Sequence, residues 1–281
     1  MLATVLLPID FSRDSENILE FAKGLPALGV KFVVLSHVVE ASGMEGPVIA
    51  AKVDEVRDRL REVAPTLSAL GLKVGVRVPI GDPFEAIVAL ATEMNVDAVV
   101  CGSHAKGLMT QLVEGSVSER LIRDAPVPML LVRFEIIHNQ DDPTVLLKRF
   151  GEKVLLPTDF SLSASHAFTA AMELPKGVIK TLYLMHVIDP TLTGDKRRKT
   201  EEGAEFHLRN LQALAKQQGI STSVIISTGD PQRSILAEID ERRITGVITG
   251  TRGRNAIQEA LMGSVSMTLL RQASCPVMIV P

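Results

Sequence analysis

VLLPIDFS at residues 5–12 returns as VLLPTDFS at residues 154–161, and this pair of octapeptides decides the fold. Each is a short apolar run of strand length that ends in proline and then gives Asp-Phe-Ser, a helix-start signature. A strand running straight into a helix is the opening of a β-α unit, and it occurs twice in 281 residues. Asp10 and Asp159 stand 149 positions apart, and LSHVVE around His37 returns at the same offset as LMHVID around His186. GDP at Gly81 returns at Gly229, now 148 apart. That offset is kept by Gly102 with Gly250, by Gly115-Ser116 with Gly263-Ser264, and by Pro128 with Pro276. One residue is therefore lost in a loop between the second and third blocks. Six blocks in register make the chain an internal repeat.

Within the first copy, apolar runs alternate with segments of helical period. The pattern predicts strands at 4–8, 31–38, 74–78, 98–101 and 127–132, and helices at 15–25, 47–70, 83–94 and 116–123. The long second helix is the clearest, with Ile49, Val53, Val56, Leu60, Val63, Leu67 and Leu70 stepping by four and three along one face. Continuously apolar strands joined by helices imply a parallel sheet covered on both faces, with right-handed crossovers. The fold class is α/β, with two tandem five-stranded, Rossmann-like domains at 1–135 and 152–281. Residues 136–151 read as an ordered connector, too apolar for a flexible linker.

Composition narrows the function. With 46% hydrophobic and 22% charged residues the chain is globular. Its net charge is −3, divided as −5 over residues 1–140 (13 basic, 18 acidic) and +2 over the remainder (17 basic, 15 acidic). Neither half has the basic balance of a nucleic-acid binder, and with no Trp and one Tyr, stacking platforms are scarce. Cys101 and Cys275 do not fall at matching places and offer neither metal spacing nor a disulfide framework. No apolar run reaches membrane-spanning length and no leader pattern precedes the first strand, so the expectation is a cytoplasmic protein that engages neither membrane nor nucleic acid.

In an open parallel sheet, ligands sit beyond the carboxyl ends of the strands where the strand order reverses. That rule selects Asp10 and Asp159 after the first strand and the glycine loops after the fourth. The second copy reads GTRGRNAIQEALMGSVS from Gly250, which gives Gly250, Gly253 and Gly263-Ser264 in the spacing G-x-x-G-x9-G-S. A glycine turn before a helix N-terminus presents backbone N–H groups to phosphate oxygens. This spacing, the opening P-x-D-F-S, the HV pair and the proline-initiated last strand CPVMIVP together resemble the universal stress protein family. The resemblance covers both copies.

The resemblance implies strand order 3-2-1-4-5 and, in the ATP-binding branch, adenine near Asp159 and Val187. Ribose and phosphates would then lie on Gly250, Gly253, Gly263, Ser264, Val265 and Ser266, with Arg252 adding charge. The implied ligand is ATP or AMP, with Mg2+ as its ion. The implied role is that of a stress-response sensor or regulator without efficient catalysis, acting on a protein partner that the sequence does not identify. Domains of this family commonly dimerise, so an intramolecular pseudo-dimer or a homodimer is expected. The corresponding second site would use Asp10, Val38, Gly102, Gly115, Ser116 and Ser118, but there Ala105 stands at the place of Gly253.

Plainer readings compete at several positions. The GDP triplets read as turns into the third helix, His37 and His186 as strand-end residues, and Ser116 as the cap of its own helix through the box S-V-S-E. No G-x-x-x-x-G-K-[S/T] loop, G-x-S-x-G elbow or zinc spacing occurs. The alternatives to a nucleotide-binding regulator are a nucleotide-free interaction scaffold and a weak ATP hydrolase.

Overall fold

The alternation of strands and helices resolves into two units, Met1–Leu147 and Lys148–Pro281, in a computed structural model that describes residues 2–103, 117–251 and 263–281. The first unit runs β1 (Thr4–Pro8), α1 (Arg13–Ala22), a 3-10 turn (Leu25–Leu28), β2 (Phe32–Ser36), α2 (Gly46–Ser68) and β3 (Lys73–Arg77). It continues with α3 (Pro83–Glu93), β4 (Ala98–Ser103), α4 (Val117–Asp124), β5 (Met129–Arg133) and α5 (Phe134–His138). Helix α6 (Thr144–Lys148) then leads to β6 (Val154–Pro157), α7 (Leu162–Glu173), β7 (Thr181–Ile188), α8 (Gly194–Gln217) and β8 (Ser221–Thr228). The second unit closes with α9 (Pro231–Arg242), β9 (Gly246–Gly250), α10 (Ser264–Gln272) and β10 (Val277–Val280).

Every strand pair within a unit is parallel. The first unit orders its strands β3-β2-β1-β4-β5 and the second β8-β7-β6-β9-β10, which is 3-2-1-4-5 in both. The order reverses between the first and fourth strands, so a crevice opens beyond Pro8 and Ser103 in one unit and beyond Pro157 and Gly250 in the other. The inner strands are apolar on both faces: Val5, Leu6, Leu7, Val33, Val34 and Leu35 are fully buried. The edge strands depart from the continuously apolar pattern. β3 keeps Lys73 and Arg77 exposed, and β8 alternates exposed Ser221 and Ser223 with buried Thr222, because an edge has one face covered by helix and one partly open.

Helix α2 buries Val56, Leu60 and Leu67, with Ile49, Val53 and Val63 half-buried, on the face that the periodicity marks. Leu70 is the exception. The helix stops at Ser68, the chain turns through Gly71 at φ 82°, and Leu70 is left 44% exposed beyond the end of the stripe. The change of repeat offset falls in the loop before this helix, since Gly46 follows His37 by nine positions and Gly194 follows His186 by eight.

The GDP triplets are turns into helices. Asp82 and Asp230 cap α3 and α9, accepting from Glu85 N (3.1 Å) and Arg233 N (2.9 Å), and proline follows at the first helical position. The glycines sit at φ 141° and 153°, where a side chain is strained. Residues 134–147 pack on the first unit: Ile136, Ile137 and Leu147 are buried, and a Cβ on Gly24 would meet Thr144 O at 2.7 Å.

Candidate functional site

Beyond the first strand of each unit the chain makes the same abrupt turn. Phe11 and Phe160 adopt left-handed backbone angles, φ 58° and 62°, which L-residues other than Asn and Asp rarely take. Each ring is held by the strand-two histidine, with centroids 5.0 Å apart for Phe11–His37 and 4.6 Å for Phe160–His186. A second neighbour is Arg59 in the first unit, its guanidinium carbon 3.8 Å from the Phe11 centroid, and His207 in the second, 5.1 Å from the Phe160 centroid. The histidines also clasp the backbone. Nδ1 of His37 lies 2.8 Å from Ile9 O and Nδ1 of His186 lies 2.8 Å from Thr158 O, so that nitrogen carries the proton in each. Both histidines are thus structural strand-end residues. Their work is to hold a strained turn, and strained backbone concentrates at functional sites.

The turn aims the aspartates. Asp159 accepts from Ser161 N at 3.0 Å, and Ser161 caps α7 through Ala164 N at 3.3 Å. Asp10 makes the same turn, accepting from Ser12 N at 2.9 Å, and Oδ1 takes a second hydrogen bond from the Ser15 hydroxyl. Ala164 replaces Ser15 in the second copy, so position 164 offers no hydroxyl there. Burial pulls the Asp10 carboxyl upward, but the hydrogen bonds from Ser12 and Ser15 outweigh it and hold the group below its ordinary value of 3.8. A depressed carboxyl contributes stability that is present above its unfolded pKa and lost as pH falls through the folded one. Asp10→Asn should therefore lower Tm at pH 7, and the gap from the parent should close as pH drops below about 4. A gap of constant size from pH 7 to pH 3 would show that the charge is not what the turn holds.

In the first unit a cavity of about 620 Å³ opens at this point, lined among others by Asp10, Val38, Cys101, Gly102, Ser103 and Phe134. Three residues of the expected second site, Asp10, Val38 and Gly102, thus face one space. Gly115, Ser116 and the side chain of Ser118 lie outside the described residues. Burial pushes the Cys101 thiol up to about 12, so it is a neutral wall group and no nucleophile. A Cβ on Gly102 would meet the Phe134 ring at 2.1 Å.

In the second unit, Val187 is half-buried near the end of β7 and Gly250 closes β9. Gly263 caps α10 with its N–H on Thr251 O at 2.8 Å, which fixes that helix N-terminus beyond β9. Ser264 is exposed, Val265 half-buried and Ser266 buried. The Ser266 hydroxyl donates to Gly250 O at 2.7 Å, so it anchors the helix to the strand. Gly250 is needed for packing: a Cβ there would lie 2.3 Å from Ser163 Oγ and 2.7 Å from Ser163 C. Arg252 and Gly253 lie outside the described residues. The sequence reading missed Ser103, Ser163 and the left-handed phenylalanines. The repeated D-F-S was the available signal for the last of these, since both copies keep phenylalanine where the backbone disfavours it. Among the described residues no group of three or more His, Cys, Asp or Glu is placed to hold a metal ion, and no helix is long and apolar enough to cross a membrane.

Comparison with known proteins gives a consistent answer for both halves. The model of the universal stress protein family matches residues 1–133 and again residues 151–281. A universal stress protein of Methanocaldococcus jannaschii is 26% identical over 155 residues, covering 47% of this chain and 96% of the relative. One from Mycolicibacterium smegmatis is 25% identical over 292 residues, covering 98% and 96%. The crystal structure of a universal stress protein from Archaeoglobus fulgidus superposes with a TM-score of 0.75 at 26% identity, covering 99% of this chain and 97% of that one.

Proposed function

The chain belongs to the universal stress protein family, and from that premise we propose that its second unit binds an adenine nucleotide, ATP or AMP, as a regulatory ligand without efficient turnover. The observation that carries this reading is the start of α10. Gly263 caps it with no side-chain hydrogen bond, which leaves the N–H groups of Ser264, Val265 and Ser266, the first of the helix, without acceptors inside it. Gly263 sits at φ −62° and ψ 143°, open to any residue, so its backbone does not itself require glycine. A phosphate group fits such an end, where donors and the helix dipole favour negative charge. Asp159 and Val187 stand at the ends of β6 and β7 on the same rim and would take the base. Mg2+ enters as the nucleotide's own ion. The sequence offers no G-x-x-x-x-G-K-[S/T] loop with a lysine set against the phosphates, and that favours binding over hydrolysis.

Thermal unfolding with ATP, with AMP and without nucleotide tests the proposal. A ligand bound only by the folded state at a hundred times its Kd adds about 2.7 kcal/mol. Tm should therefore rise by several degrees with at least one nucleotide, and the rise should be lost in Gly263→Val. A flat response to both nucleotides would leave the scaffold reading in place.

A further inference from the structure

We infer that the cavity of the first unit is a ligand site of different selectivity, which takes an uncharged, nucleoside-sized molecule bearing hydroxyl or amino donors and rejects its phosphorylated form. This goes beyond the nucleotide reading, which concerns the second unit.

Three observations carry it. The first is Ser103. It is 6% exposed, it lines the cavity, and its Oγ has no hydrogen-bond partner. A buried hydroxyl left unpaired is costly, and its pairing with a ligand removes that cost. The corresponding residue of the second unit, Thr251, has its Oγ1 3.4 Å from Ser163 Oγ, so the open hydroxyl is particular to the first unit.

The second is charge. Among the described lining residues, Asp10, Asp14 and Glu40 set three carboxylates against one ammonium, Lys52. Lys52 is itself paired with Glu55 at 3.1 Å. Asp10 takes the Ser12 N–H and the Ser15 hydroxyl on Oδ1, and its carboxylate lines the cavity as an acceptor for a ligand donor. Carboxylates accept hydrogen bonds from hydroxyl and amino groups and repel phosphates, so the same groups attract one class of ligand and exclude the other. The third is shape. A volume of about 620 Å³ lies in the range of small-molecule sites. Ile18, Ile87, Leu121 and Ile122 give it apolar walls for a ring, and the polar groups of the lining would fix its orientation.

Calorimetry on the full chain tests this with two probes, adenosine and ATP. Adenosine should bind once per chain. Ser103→Ala, which removes only an unpaired hydroxyl and leaves the packing intact, should weaken it about tenfold without changing the heat of ATP binding. Gly263→Val should spare adenosine. Asp10→Asn should narrow the preference of this site for adenosine over ATP at least tenfold. Absence of adenosine binding to the parent chain would overturn the inference. So would adenosine binding that survives Ser103→Ala and disappears in Gly263→Val, because the ligand would then be in the second unit. If ATP fails to bind at all, the nucleotide proposal fails alone, since the adenosine arm is read independently.

Discussion

Gly250→Ala should destabilise the second unit by about 3 kcal/mol, the upper end of what overpacking usually costs, and lower its Tm by on the order of 10 °C. The added methyl would lie 2.3–2.8 Å from Ser163 Oγ, C and O. Two of those atoms are backbone in the first turn of α7, and that turn is fixed by the Ser161 cap and the left-handed Phe160, so relief requires the whole helix to move. Gly102→Ala is the internal control. Its methyl would meet the Phe134 ring at 2.1–2.8 Å, a closer approach, but the obstacle is a side chain beside the 620 Å³ cavity and can swing into that space. The loss there should be less than half as large. Calorimetric or denaturant unfolding of the two variants checks the ranking. Equal losses, or a larger one at Gly102, would mean that α7 yields as readily as a free ring and that Gly250 is not held by packing.

How much of this was legible in the sequence depends on the range of the interaction. The repeated D-F-S, HV and GDP blocks mark places where local chemistry repeats, and the two units reproduce it: a capped helix, a histidine clasp and a second capped helix at each. Such features are written in three or four neighbouring residues. The role of Gly250 was not legible, because the atoms that exclude a Cβ belong to Ser163, 87 positions earlier in the chain. Ser266 looked like a phosphate ligand from its place after Gly263-Ser264, yet its hydroxyl is turned inward to Gly250 O. Position in a motif does not say which way a helix faces. The walls that Ser103 and Phe134 add to the cavity around Asp10, Val38 and Gly102 were unforeseen for the same reason. Phe134 reaches Gly102 only after the chain has passed through α4 and β5, and Ser103 is left unpaired by the sum of its surroundings, not by its neighbours in sequence.

Gly253→Ala should weaken ATP binding about a hundredfold, while Ala105→Gly should leave ATP binding to the second unit unchanged. Both positions lie outside the described residues, and the argument comes from the spacing G-x-x-G-x9-G-S, which the second copy completes and the first breaks with Ala105. A loop glycine that presents its N–H to a phosphate oxygen must let the backbone come close, and a left-handed alanine costs about 1–2 kcal/mol. Loss of a hydrogen bond to a charged group adds about 1.5–3 kcal/mol. The sum, about 2.5–5 kcal/mol, spans the roughly 2.7 kcal/mol that correspond to two decades in Kd. Ala105→Gly separates two reasons why the first unit should not hold ATP. If the methyl group alone closes it, the glycine opens a second calorimetric ATP site. If the carboxylates of Asp10, Asp14 and Glu40 close it, the glycine changes nothing and Asp10→Asn is needed as well. The charge of the described lining residues favours the second outcome, so the expected stoichiometry for Ala105→Gly is still one ATP per chain. A Gly253→Ala chain that binds ATP as tightly as the parent would end the assignment of residues 250–264 as the phosphate loop, whatever happens at Ala105.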